Sequence, residues 1–177
     1  MFQKGDLIIY NNEGVCRVED VGPLKNLSDG QSERLFYKLS PVYGKGFIFI
    51  PVDTKVFMRP VITKEKAREL ITKIPKIKSN ELDTNNQKQL NEYYQSSFLS
   101  HECEDLLQLI KTVYLKTQKQ ISCGKKPGQT DQRYMKRAEE LLHGELAIVL
   151  GIPCDEVTSY IEKALASIET AEEIQCG

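Results

Sequence analysis

The chain has 177 residues, 40% of them hydrophobic and 28% charged, which is enough to bury a core in one or two globular domains. Its formal net charge is -1, and no apolar run approaches the roughly 20 residues that a membrane span needs. The start, MFQKGDLIIY, is too short and too soon acidic for a signal peptide, so a cytoplasmic chain without membrane contact is expected.

Residues 1–60 read as strands. Leu7-Ile8-Ile9-Tyr10 is a short apolar run closed by the turn Asn11-Asn12-Glu13-Gly14. Val15 to Glu19 alternates, with Cys16 and Val18 on the face opposite Val15, Arg17 and Glu19. Leu35–Leu39 and Phe47–Ile50 follow, each ended by a nearby proline (Pro41, Pro51), and Lys55–Met58 makes a fifth strand. Five short strands in so few residues point to a small SH3- or Tudor-like barrel. Such a barrel has too little volume for an enclosed catalytic cavity and works by offering loops or an edge strand to a partner.

After Pro60 the period becomes helical. Thr63 caps a helix that runs to about Lys73, before Pro75. The next covers Asn86 to Leu99, and a third carries Leu106, Leu109, Ile110, Val113 and Tyr114 on one stripe. Gly and Pro in Ser122–Gly128 break it. Thr130 or Asp131 then caps a long helix with Met135, Ala138, Leu142, Glu145 and Val149, which Gly151-Ile152-Pro153 ends. A last helix packs Val157, Ile161, Leu165 and Ile168. The fold class is therefore α+β: a barrel over 1–60, then a bundle of about five helices over 61–177.

Charge is segregated within the helical half. Between Leu107 and Arg137 eight basic residues (Lys111, Lys116, Lys119, Lys125, Lys126, Arg133, Lys136, Arg137) face one acid, Asp131. From Ala138 onward there are nine acids and one Lys163. A basic strip on helices is the electrostatic footprint of a polyanion-binding face, and the late acids keep their own surface soluble. Arg133, Lys136 and Arg137 share a helix face, with Lys125 and Lys126 just before the helix start.

Catalytic motifs are lacking: there is no Ser/His/Asp set, and Gly44-Lys45-Gly46 and Gly124-Lys125-Lys126 are too short for a phosphate-binding loop. Five scattered cysteines (Cys16, Cys103, Cys123, Cys154, Cys176) form no C-x-x-C pair, and His101 and His143 stand apart from any second ligand. Free thiols, no metal, no cofactor and no enzymatic activity are expected.

Two blocks of sequence carry a family likeness. Lys4–Tyr10, Gly14–Val18 and Tyr37–Asp53 resemble the amino-terminal module of the CarD/CdnL regulators, a module related to one in the bacterial transcription-repair coupling factor. Leu106–Leu115 and Ala138–Ala147 look like that family's helical domain. The resemblance implies a bacterial transcription regulator, monomeric, whose barrel docks on the beta subunit of RNA polymerase. Its helical domain would contact promoter DNA at the upstream edge of the transcription bubble and modulate the stability of the open complex.

On that reading Phe47, Phe49, Ile50 and Pro51 meet the polymerase. Lys125, Lys126, Arg133, Lys136 and Arg137 meet DNA phosphates, with weak sequence preference. Members commonly wedge a Trp against the bubble edge. This chain has no Trp, and Glu81–Leu90 offers Leu82 in its place, with Tyr93 or Tyr94 as substitutes. Several members also carry an Arg on the strand before Pro-Val, where Phe49 stands here. The rival reading is a polymerase-binding adaptor whose helical half makes no DNA contact.

Overall fold

The computed structural model describes residues 1–23, 34–80 and 86–175, with side chains to residue 167, and divides into two compact units, Met1–Val61 and Ile62–Gly177. The first unit is an antiparallel sheet of β1 (Leu7–Tyr10), β2 (Gly14–Pro23), β3 (Leu35–Pro41), β4 (Ile48–Pro51) and β5 (Met58–Pro60), in the order β4-β3-β2-β1-β5. This is the Tudor-like unit expected from the strand pattern. Ile8, Cys16, Val18, Tyr37, Leu39 and Ile50 form its core. Burial pushes the Cys16 thiol up to about 11, as an apolar site disfavours the thiolate.

Alternation along β2 is interrupted by a bulge. Val18 pairs with Leu39 and Asp20 with Lys38, so Glu19 is the extra residue. Because of it, Val21 can pair with Tyr37 and pack against the same core as Val18. Glu19 in turn accepts a 2.7 Å hydrogen bond from the Ser40 hydroxyl.

The fifth strand lies further along the chain than its apolar run implied. Lys55 to Phe57 are not in it, and pairing with β1 starts at Tyr10↔Met58 and ends at Ile8↔Pro60. The β1 edge sets where a ladder can form, and Pro60 fits there because β5 is an edge strand.

In the second unit, α1 (Lys64–Lys73), α2 (Gln87–Leu99), α3 (Cys103–Ser122), α4 (Gln129–Leu150) and α5 (Val157–Gln175) pack around Leu70, Ile71, Tyr94, Leu109, Leu142 and Leu146. The Thr63 hydroxyl accepts from the Lys66 N–H and the Asn86 carboxamide oxygen from the Gln89 N–H, so each cap satisfies an orphan donor of its first turn. Beyond α1, the Lys111 ammonium donates to the carbonyls of Ile74, Pro75 and Ile77 at 3.2, 3.1 and 2.7 Å. That one side chain ties together three carbonyls of the turn that follows α1.

Three details of the helices depart from the sequence reading. Tyr114 faces solvent, while Leu107 and Thr112 are buried in its stead. Neither Thr130 nor Asp131 caps α4: Gly128 is its N-cap, and Asp131 is a buried residue of the first turn. Glu145 is buried rather than on a solvated acidic face. Its carboxylate accepts from the Ile62 N–H at 2.9 Å and the Cys103 thiol at 3.1 Å. In the last helix Val157 is fully buried and Ile161 and Leu165 half-buried, whereas the Ile168 side chain lies outside those described.

The α3–α4 connection is closed by a Schellman turn. Gly124 adopts φ +72°, its N–H reaches the Ile121 carbonyl, and the Lys125 N–H reaches that of Gln120. A Cβ at Gly124 meets nothing within 4 Å, so the cost of a side chain there is backbone strain alone. Gly124→Ala is expected to lower unfolding stability by about 1–2 kcal/mol. Urea melts of the two proteins check this, and equal midpoints would show that the turn relaxes without strain.

Candidate functional site

Strand β4 is an edge of the sheet, paired on one side with β3. Its alternation sends Ile48 and Ile50 toward the core and leaves Phe47 and Phe49 at 56% and 50% exposure. Among the described residues β4 has no strand on its other side, and an edge with exposed phenylalanines beside it is of a kind that can accept a strand or apolar contact. Pro51 is half-buried at the strand end. Ile50, expected among the contact residues, is instead 7% exposed and serves the core.

Neighbouring residues of β3 add charge to this face, a feature the β4 sequence alone does not carry. Lys38 pairs across the ladder with Phe49, and its ammonium sits 3.9 Å from the centre of the Phe47 ring. At that distance the ring face attracts the cation and holds it over the patch. Arg34 grips both Asp53 oxygens at 3.0 and 3.2 Å beside Phe36. The guanidinium holds the exposed Asp53 carboxyl below the usual carboxylate range. The signal for Lys38 was the alternation of β3 combined with its register, which only strand pairing reveals.

In the helical unit the basic strip divides into two groups. Lys111 is taken up by the carbonyls after α1. Lys116 forms a buried ion pair with Asp131, 2.7 Å from its second oxygen, and the Tyr94 hydroxyl donates to the first at 2.6 Å. Burial and this carboxylate push the Tyr94 phenol above its ordinary range. These two lysines are internal supports. Lys119, Lys125, Lys126, Arg133, Lys136 and Arg137 remain exposed, around the Schellman turn and the first half of α4.

Thus the five residues expected to meet DNA all lie on the surface. Arg133, Lys136 and Arg137 share one stripe of α4. The Arg133 guanidinium is 5.4 Å from the half-buried Tyr134 ring, and Arg137 pairs with Glu140 at 3.1 Å. The wedge position Leu82 lies outside the described residues. Of its substitutes, Tyr94 is completely buried and hydrogen-bonded, which removes it from any insertion role, and Tyr93 is half-buried beside it. Among the described residues no group of three His, Cys, Asp or Glu side chains is placed to hold a metal, and no helix is long and apolar enough to cross a membrane.

The described residues thus present an aromatic strand edge in the sheet unit and a cationic surface in the helical unit. Residues 2–62 match the model of the CarD-like/TRCF RID domain, a match that ends within a residue of the boundary between the two units. The amino-terminal unit is thus the module shared by the CarD-like family and TRCF, an RNA polymerase-interacting domain, and the chain is a transcription-related protein. No curated protein matches the chain.

Proposed function

We propose that the protein is a bacterial, non-enzymatic transcription regulator that docks on the RNA polymerase beta subunit through β4. On this reading it holds promoter DNA by its phosphates and so modulates the stability of the open complex. The observation that carries the reading is the exposed pair Phe47 and Phe49 on the free edge of a polymerase-interacting domain. The exposed cations Lys125, Lys126, Arg133, Lys136 and Arg137 support the second contact. Lysine and arginine on phosphates give affinity with little sequence preference.

The salt dependence of duplex binding tests the DNA half. Lys136→Gln with Arg137→Gln is expected to weaken binding similarly across unrelated sequences. The slope of log K against log salt should flatten by about one to two units. An unchanged slope removes these residues from the interface. It would favour the adaptor reading, in which the helical unit makes no DNA contact. The internal use of Lys111 and Lys116 lends that reading its weight, since it leaves fewer cations for a polyanion.

A further inference from the structure

Helix α3 carries two apolar stripes. One, with Leu106, Leu109 and Val113, faces the core of its unit. The other lies on its carboxyl-terminal half, where Tyr114, Leu115 and Ile121 are 51%, 44% and 53% exposed. With Gln118 and Ser122 these residues follow the i, i+1, i+4, i+7, i+8 spacing of a seam that packs another helix. Nearer the amino end, the same side of α3 is already covered. The chain from Ile74 to Asn80 crosses it, held by Lys111, by Gln108 to the Lys78 carbonyl and by the Thr112 hydroxyl, which accepts from the Asn80 N–H. Tyr114, Leu115 and Ile121 continue that side as an apolar surface outside the packed core of the described residues.

The charges around this surface define what fits it. The one acid between Leu107 and Arg137 is Asp131, which is buried against Lys116. On α3 and the turn that follows it, the exposed charged residues that flank Ile121 in the chain, Lys119, Lys125 and Lys126, are all cationic. A duplex would satisfy the lysines with phosphates yet leave the leucine and isoleucine with no apolar surface to bury. An acidic, amphipathic protein helix satisfies both.

We propose that this face of α3 is a protein-docking surface for an acidic amphipathic α-helix, whose apolar stripe lies on Tyr114, Leu115 and Ile121 while its carboxylates meet Lys119, Lys125 and Lys126. The surface is separate from the β4 edge and does not depend on polymerase docking there. It shares Lys125 and Lys126 with the DNA reading, so the two ligands compete.

The probe is a labelled 18-residue helical peptide with leucines at i, i+3, i+4 and i+7 and glutamates on the flanks. A second peptide has the same leucines and lysines in place of the glutamates. Anisotropy with the full chain is expected to show saturable binding of the acidic peptide, about tenfold or more tighter than the basic one. Ile121→Asp should weaken it by about tenfold. Its side chain is exposed, so circular dichroism and the thermal midpoint should stay unchanged. Lys125→Glu with Lys126→Glu should weaken binding independently, and unlabelled duplex should displace the peptide. Equal binding of the two peptides overturns the proposal, as does indifference to Ile121→Asp in a folded variant. So does an Ile121→Asp protein that loses duplex binding while the acidic peptide never bound, which would make the occupant a nucleic acid.

Discussion

Asp131→Ala is expected to destabilise the helical unit by about 3–5 kcal/mol, more than any surface substitution in the chain. Asp131 is 4% exposed and joins three helices, taking a proton donor from Tyr94 of α2 and a cation from Lys116 of α3. Its loss leaves the Lys116 ammonium in a site where water reaches little of it, and leaves a buried phenol without its acceptor. Such orphaned groups carry most of the penalty. Tyr94→Phe removes a single hydrogen bond while the ion pair survives, and should cost about 1–2 kcal/mol. The Asp131→Leu, Lys116→Met double variant should be far less harmful than Asp131→Ala, because both charges leave together. Urea unfolding of the three proteins decides the point. If Asp131→Ala melted within about 1 kcal/mol of the wild type, the network would be dispensable and the α3–α4 pair held by packing alone.

On the proposed docking through β4, replacing Phe47 and Phe49 together by Ala is expected to weaken binding to the polymerase beta subunit by about 2–4 kcal/mol, or roughly thirty- to a thousand-fold in Kd. Both rings are half exposed, so the thermal midpoint should barely change. Ile50→Ala makes the contrast. It empties a core position on the same strand and should cost about 2–5 kcal/mol of stability. Below its melting temperature it should leave affinity nearly intact. Calorimetry with purified beta subunit and the full-length variants separates the two effects. Undiminished binding by the Phe47, Phe49 variant would move the docking surface off β4.

The local signals of this chain were readable without its structure. Thr63 and Asn86 mark helix starts through their side-chain oxygens, and Pro75 and Gly151 mark helix ends through their backbone chemistry. Alternation in Phe47–Ile50 likewise separates core from surface, because a strand has only two faces. What failed was non-local. Asp131 reads as an N-cap in sequence but is the third residue of α4, and nothing nearby announces that Lys116 and Tyr94 claim its carboxylate. Glu145 reads as one of a series of solvated acids until Ile62 and Cys103 are brought against it. Tyr114 sits on the flank of an apolar stripe, where a rotation of one position decides between core and solvent. The basic strip divides for the same reason: sequence counts charges, whereas folding assigns Lys111 and Lys116 to internal partners and leaves Lys125, Lys126, Arg133, Lys136 and Arg137 exposed.

The bulge at Glu19 bears on how this module can change length over evolutionary time. Glu19 is the one residue of β2 between Val18 and Pro23 with no partner opposite it on β3. Removing it would leave Val18 facing Leu39 and Val21 facing Tyr37, with regular alternation between them, at the loss of one hydrogen bond to Ser40 and some local twist. Removing Arg17 instead would turn the neighbouring side chains over and expose apolar residues to water. A one-residue gap in related barrels is therefore expected to fall at the position of Glu19, making it the natural anchor for aligning modules whose second strands differ in length.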